Sequence, residues 1–138
     1  MTVKPFGQGS GWLGFPGDWT PPSRFIRIAQ ITNNVYPVKD AQSALSLCVH
    51  IINNVDIPLG VIREKHADGS VVSELTQWTV FKDLTNKVLY FKTYENANLR
   101  AIDLKKLADR HKGDIKPFSI PVSEGPLSQD LTDKMIQQ

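Results

Sequence analysis

The apolar residues of this 138-residue chain change their spacing near Thr76, from a helical period to the period of a β-strand. Upstream, two runs place apolar side chains three or four residues apart, which is typical of helices with one buried face. These side chains are Phe25, Ile28, Ala29 and Thr32 in the first run, and Ala44, Leu47, Cys48, Ile51, Ile52 and Val55 in the second. Downstream, apolar and polar side chains alternate over 77–82 and 87–94, which indicates strands. The chain is therefore predicted to be α+β, with two helices packed on an antiparallel β-meander.

Local signals mark where these elements begin and end. Thr20 stands before two prolines, and a threonine cap followed by proline is typical of a helix start. Asp40 is a cap of the same kind for the second helix, which we expect to end near 53–54. The turn-forming residues 83–86 join the two alternating runs into a β-hairpin.

We expect the whole chain, residues 1–138, to form a single unit in which four parts follow one another. They are a Gly-rich loop (1–19), a helical part (20–56), a β-meander (61–104) that includes a short strand around 61–63 and a third strand at 100–104, and a tail (105–138) that begins with a short helix.

Composition and charge exclude several classes of partner. The 16 basic and 14 acidic residues alternate along the chain, so no basic surface for nucleic acid is expected. The best apolar run, 44–52, is far shorter than the roughly 18 residues that a membrane span requires, and residues 1–10 do not resemble an export signal. We therefore expect neither nucleic acid nor a membrane as a partner, while the compartment is left open.

Metal and cofactor chemistry also find little support. The single cysteine, Cys48, excludes an internal disulfide and a multi-cysteine zinc site, and its place on an apolar stripe predicts a small core side chain. The three histidines include no pair at helical spacing. The glycines of 7–11 could cradle a phosphate, but no strand precedes them, so a flexible turn is the better interpretation. Neither a metal nor a cofactor is predicted.

Arg24 stands in the first turn of the first predicted helix, where the helix dipole favours acidic rather than basic side chains. Surface arginines are common and need no explanation, so composition alone favours a solvated side chain. The alternative is a functional arginine.

The segment GSGWLGFPGDWTPPSRF (9–25) resembles the segment that leads into the catalytic arginine of the choloylglycine hydrolases, a family that includes bile-salt hydrolases and penicillin V acylases. Further on, DIPLG (56–60), TQWTV (76–80) and YFKTYEN (90–96) resemble later strands of the same family in the same order. The similarity extends over about residues 5–107.

The resemblance implies part of an N-terminal-nucleophile hydrolase with an αββα core, in which an N-terminal cysteine attacks an amide carbonyl and its own α-amine serves as the base. Arg24 matches the family's active-site arginine, and we expect Trp12, Phe15 and Trp19 to line the substrate pocket. The family's nucleophile, an early arginine and aspartate, and the asparagines of its oxyanion hole all lie upstream of the matched segment, and Cys48 does not match the nucleophile.

The resemblance thus predicts a C-terminal fragment of a linear-amide hydrolase that supplies an arginine and a pocket wall and is inactive alone. Its substrate would be a conjugated bile salt, penicillin V or another N-acyl amide, bound only together with the upstream half.

Two alternatives remain open. The chain could be a non-catalytic binding module that uses Trp12, Phe15 and Trp19, with exposed strand edges that allow self-association. It could instead be a compact enzyme with Thr2 as an N-terminal nucleophile after removal of Met1. No strand-like sequence follows Thr2 to anchor that terminus.

Overall fold

A computed structural model of the chain describes residues 12, 14–110, 119, 123 and 125–128. These residues fall into two compact units, and the boundary along the chain lies between Ile57 and Pro58. The first unit is helical, and the second contains the β-strands and one short helix, so the α+β fold class is confirmed. Thr2 and most of the tail beyond Arg110 lie outside the described residues, and the single unit over 1–138 stays a prediction. No helix in the described part of the chain has the length and apolar character needed to cross a membrane.

The first helix, α1, spans Pro21–Asn34 and begins where the sequence predicts. Thr20 occupies the N-cap position, but its side chain makes no capping hydrogen bond to the helix. The two prolines in the first turn have no amide hydrogen for a cap to bind. The Thr20 hydroxyl donates instead to the Asp18 carboxylate at 2.5 Å. The predicted helix start is confirmed, and the predicted capping role of the Thr20 side chain is wrong.

The face of α1 that is buried differs from the predicted apolar stripe. Phe25 is 74% exposed, whereas Ser23 and Arg27 are 8% and 9% exposed. Residues of the preceding loop fold back onto the face that carries Ser23 and Arg27, because both side chains form hydrogen bonds with that loop. Polar contacts, rather than the apolar period, thus decide which side of this helix is covered.

The second helix, α2, spans Ala41–Asn53 and packs against α1. The Asp40 side chain accepts hydrogen bonds from the amide and the hydroxyl of Ser43, each at 2.8 Å, so the predicted cap is confirmed. At the other end, the Asn54 side chain donates to the carbonyl of His50 at 2.7 Å. Cys48 is exposed, and the prediction that it is a core side chain is wrong. Two packed helices bury only part of each other's surface, and Cys48 lies outside that part.

The second unit opens with a hairpin of β1 (Ile62–Lys65) and β2 (Val71–Glu74), paired antiparallel from Ile62↔Glu74 to Lys65↔Val71. The sequence predicts a short strand at 61–63 but gives no prediction of β2. Strand β2 contains only two adjacent apolar residues, which is too short a run to show alternation. The turn between the strands contains Gly69 at φ +86°, a backbone conformation that glycine adopts without strain.

A three-stranded antiparallel sheet follows, and its strands lie side by side in chain order. Its strands are β3 (Trp78–Asp83), β4 (Val88–Thr93) and β5 (Arg100–Asp103), and helix α3 (Leu104–Arg110) packs against β4 and β5. The predicted hairpin, third strand and short helix are confirmed. The central strand β4 holds the buried residues Phe91, Lys92 and Thr93.

The turn between β4 and β5 is closed by Asn96, which is only 2% exposed. Its amide donates to the Thr93 hydroxyl at 3.3 Å, and its side-chain amide donates to the carbonyl of Gly125 at 3.3 Å. Its side-chain oxygen accepts from the amide of Asn98 at 3.0 Å. A buried amide side chain requires such partners, and here one of them joins Gly125 to the turn.

Lys87 provides a test of the β3–β4 turn, since it adopts φ +63°. β-Branched residues tolerate positive φ poorly, so Lys87→Val should lower the free energy of unfolding by about 1 kcal/mol. Lys87→Gly should leave it unchanged or raise it, because glycine adopts this conformation without strain. Urea unfolding followed by circular dichroism measures both values. Lys82→Val on β3 is the control and should be tolerated, and equal losses for Val and Gly at position 87 would contradict the assigned turn.

Candidate functional site

The predicted site residues lie on the loop that precedes α1 and on the first turn of that helix. A tight turn brings two of the aromatic residues together: the amide of Phe15 donates to the carbonyl of Trp12 at 3.1 Å, and the two ring centroids are 4.8 Å apart. Gly14, within this turn, has φ +82°. Trp12 is 45% exposed. The two rings therefore present an apolar surface on this loop.

Trp19, the third predicted pocket residue, has a different neighbour. The guanidinium carbon of Arg27 lies 5.4 Å from the centroid of the Trp19 ring, within the range of a cation–π interaction. Among the described residues, no ring contact joins Trp19 to Trp12 or Phe15. The structure thus brings two of the three aromatic residues together and leaves the third against an arginine that the sequence did not single out.

Asp18 organises the chain between this loop and α1. One carboxylate oxygen accepts from the amide and hydroxyl of Thr20 at 2.8 and 2.5 Å, and the other accepts from the Ser23 hydroxyl at 2.6 Å. The Ser23 hydroxyl, followed by the hydroxyl and amide of Thr20, lowers the pKa of Asp18 from 3.8 to about 2. Asp18 is therefore an ionised acceptor near neutral pH and not a proton donor.

Arg27 joins the same loop to the second turn of α1. Its Nη1 donates to the carbonyls of Pro16 and Asp18 at 3.0 and 2.7 Å. Its Nε and Nη2 are buried and have no hydrogen-bond partner in the described part of the chain. Arg27 is not among the predicted site residues, although its position three residues after Arg24 places both arginines on neighbouring parts of one helical face.

Arg24, the predicted catalytic residue, is half-buried in the first turn of α1. Its backbone amide donates to the carbonyl of Thr20 at 3.0 Å, whereas its side-chain Nε is buried and has no hydrogen-bond partner among the residues that the structure describes. Part of the guanidinium is thus withdrawn from water, unlike that of a fully solvated surface arginine. The catalytic role of Arg24 stays a prediction.

The charges around the first turn of α1 favour an anion over a cation. The helix N-terminus carries a partial positive charge, and Arg24 and Arg27 add two permanent positive charges, whereas the ionised Asp18 that accepts from Ser23 adds one negative charge. In the described part of the chain, no group of three or more His, Cys, Asp or Glu side chains could hold a metal ion. The local field would stabilise a thiolate or a developing oxyanion.

An open groove of about 660 Å³ also lies in the first unit, on α2 and its cap. It is lined by Asp40, Gln42, Ser43, Ser46, Leu47 and His50. None of these residues belongs to the predicted site, and the Asp40 carboxylate is already bonded to Ser43. The groove therefore gives no alternative position for the predicted chemistry.

Comparison with known proteins identifies the family. Residues 1–113 match the sequence profile described as linear amide C–N hydrolases, choloylglycine hydrolase family. The chain belongs to the choloylglycine hydrolase family. The resemblance on 9–25 and the later strand segments is thereby confirmed.

Individual members of the family show how much of a complete protein this family segment represents. The chain is 39% identical over 108 residues to the bile salt hydrolase/transferase of Clostridium perfringens, a match that covers 77% of this chain and 31% of that relative. It is 30% identical over 94 residues to the conjugated bile acid hydrolase of Lactobacillus gasseri, covering 68% of this chain and 28% of the relative. The chain therefore spans about a third of the length of these curated relatives.

Solved structures give the same result for the fold. A variant of conjugated bile acid hydrolase from Clostridium perfringens is similar with a TM-score of 0.57 and 36% identity, over 77% of this chain and 31% of that one. Penicillin V acylase from Agrobacterium tumefaciens is similar with a TM-score of 0.56 and 23% identity, over 67% of this chain and 28% of the acylase. The second likeness is one of fold. Together they support a partial N-terminal-nucleophile hydrolase fold.

The hydrogen bonds of Asp18 predict a measurable titration. Ser23→Ala removes the largest cause of the lowered pKa, so the pKa of Asp18 should rise from about 2 toward 3.8. Because the folded-state pKa lies below the ordinary value, the bonded carboxylate contributes stability above about pH 4, and this contribution is lost as the pH falls through the folded-state pKa. Carbon-detected NMR of the carboxyl group between pH 6 and 2 measures the midpoint.

The control for this titration is Ser43→Ala, which removes the equivalent hydroxyl bond to Asp40, the cap of α2, and keeps the bond from the Ser43 amide. It should raise the pKa of Asp40 toward its ordinary value and leave that of Asp18 unchanged. An Asp18 midpoint that is the same with and without the Ser23 hydroxyl would show that the bond does not form in solution.

Proposed function

We propose that this chain is the C-terminal segment of a linear-amide hydrolase of the bile-salt hydrolase or penicillin V acylase type, and that Arg24 is its active-site arginine. The observation that carries this proposal is the position of Arg24. It stands in the first turn of α1 within the family match, and its Nε is withdrawn from water without an acceptor from the described residues. A charged donor in that state is suited to an anionic group from outside its own helix.

The chemistry of the family explains what such an arginine would do. A cysteine thiolate attacks an amide carbonyl, the C–N bond breaks, and the amine leaves with a proton from the α-ammonium group. An α-amine titrates near pH 8, so it can serve as the base at neutral pH. A guanidinium beside the thiolate lowers the free energy of the charged nucleophile without exchanging protons itself. Arg24 would supply this charge.

We infer that the substrate is a small amide with an apolar acyl group. Trp12 and Phe15 form an aromatic pair on the loop that leads to α1, and Trp12 is 45% exposed. Such a surface suits a steroid or phenoxyacetyl group better than a charged one. Relatives are described as a bile salt hydrolase and a penicillin V acylase, which both act on substrates of this kind.

The nucleophile in this proposal comes from sequence outside this chain. Cys48 is exposed in the middle of α2, and it is neither N-terminal nor at the position of the family's nucleophile. The chain alone is therefore expected to leave penicillin V and glycine-conjugated bile salts intact. Clear turnover by the isolated chain would contradict this part of the proposal.

A chimera tests the role of Arg24 directly. Residues 5–107 of this chain would replace the segment that they match in the Clostridium perfringens bile salt hydrolase. The chimera should hydrolyse glycine-conjugated bile salts, and Arg24→Ala should lower kcat by about 100-fold, the effect of removing one group that stabilises charge in the transition state. Release of glycine, followed over time, measures the rate.

Arg63→Ala is the matched control, since Arg63 is exposed on β1 and forms none of the site contacts. It should leave turnover unchanged. A folded chimera that hydrolyses equally well with and without Arg24 would reject the proposed role. Gel filtration and circular dichroism identify chimeras that do not fold, and in that event the same Arg24→Ala comparison is made at the matching arginine of the relative.

The second candidate function is a non-catalytic binding module derived from this fold. The observation that favours it is on β3, an edge strand on which Trp78 is 61% and Val80 39% exposed. Exposed apolar edge strands tend to pair with other strands.

If this edge mediates self-association, the sedimentation coefficient should rise with protein concentration, and Trp78→Lys should shift the population toward monomer. Lys82→Arg on the same strand keeps its charge and serves as the control. A monomer at every concentration, together with an active chimera, would rule out this alternative.

A further inference from the structure

Arg27 is the most fully buried charged side chain of α1 that the structure describes, at 9% exposure. A single nitrogen, Nη1, donates to two main-chain carbonyls on either side of Gly17. The guanidinium carbon lies over the ring of Trp19, 5.4 Å from its centroid. Three points of the loop, two carbonyls and one ring, are thus held by one side chain that projects from α1.

Arg27, which contacts the loop, lies on the same face of α1 as Arg24. Residues three apart on a helix are neighbours on one face, so the group that holds the loop and the proposed catalytic arginine share a rigid support. We propose that Arg27 is a positioning residue that fixes the loop of Phe15–Trp19 relative to Arg24 and thereby sets the wall of the substrate pocket. The inference rests on the proposed function of Arg24.

The unpaired donors of Arg27 indicate that its role is to position the loop and not mainly to stabilise the fold. Nε and Nη2 together form the side-on edge of the guanidinium, and no acceptor within the described ranges reaches these two buried atoms. Buried donors that lack partners lower stability, and an apolar side chain of similar volume often replaces a buried charge without loss. The two loop carbonyls belong to half-buried Pro16 and exposed Asp18, so water can replace the guanidinium there. The unpaired donors thus offset the stability that the two bonds of Nη1 contribute, and the main effect of Arg27 is on loop geometry.

Two variants distinguish the two roles in the full chain. Arg27→Met keeps the length of the side chain and removes every donor, and Arg27→Lys keeps the charge but offers a compact ammonium instead of a planar group. The chain would be labelled with 5-fluorotryptophan, and the three fluorine signals would be assigned by Trp12→Phe, Trp19→Phe and Trp78→Phe.

In Arg27→Met, the Trp19 signal should move toward the value of a solvated indole while the Trp78 signal stays in place. The midpoint of urea unfolding should be unchanged or higher. Arg27→Lys should move the Trp19 signal less. Arg63→Met on β1 is the control and should move neither signal. An unmoved Trp19 signal in Arg27→Met, or a clear fall in its unfolding midpoint, would overturn the positioning role.

The chimera supplies the kinetic readout. Arg27→Met should raise KM by roughly tenfold and change kcat less, because a displaced wall weakens binding of substrate and transition state alike. Arg24→Ala should act mainly on kcat, and Arg27→Lys should recover part of the lost affinity. A normal KM in Arg27→Met with a displaced Trp19 would overturn the link to the pocket. Full activity of the Arg24→Ala chimera would instead reject the proposed function and leave the Trp19 result standing.

Discussion

The order of the first unit depends on polar contacts between α1 and the loop in front of it. Asp18 receives three hydrogen bonds from Thr20 and Ser23, and Arg27 donates to two carbonyls of the same loop. Charge-assisted bonds of this kind are stronger than neutral ones and fix direction as well as distance. They also determine the orientation of α1, since the covered face carries Ser23 and Arg27 while Phe25 faces solvent. The loop thus acquires a defined path without regular secondary structure.

The second unit is held by the antiparallel ladder and by one buried side-chain amide. Strand β4 pairs with both neighbours, and Phe91 is opposite Val80 on one side and Arg100 on the other. Beyond the ladder, Asn96 and Asn98 donate to the carbonyls of Gly125 and Pro126. The family match ends at residue 113, so these bonds attach a segment outside the match to a turn inside it. Each asparagine forms this link directly, because its side-chain amide donates to a backbone carbonyl of the attached segment.

The features that could be predicted from sequence are those that neighbouring residues decide. Alternation over 77–82 and 87–94 gave the β3–β4 hairpin, and Asp40 gave the start of α2, because a cap and a turn involve contacts within a few residues. The exposure of Phe25 and Cys48 and the burial of Arg27 depend on which chain segments lie against each helix, and a helical period does not contain that information. Strand β2 was missed because Val71 and Val72 alone show no alternation. At the site, the sequence singled out Arg24 through a family resemblance but gave no sign that Arg27 holds the loop.

Arg24 and Arg27 carry buried donors without partners in the described part of the chain, which lower the stability of the fold and therefore suggest a functional reason for these two side chains. Buried polar groups are nearly always bonded in folded proteins, so exceptions call for a physical reason. Among the described residues, Arg24 and Arg27 contribute three of the four such atoms, on neighbouring positions of one helical face. In the first turn, where Arg24 lies, the dipole also disfavours positive charge. Stability alone would favour an acidic residue over Arg24. A function explains both arginines: Arg24 would present positive charge to an anion, and Arg27 would hold the adjacent aromatic loop. Conflicts between local preference and observed sequence concentrate at functional sites, and this turn lies within the family match.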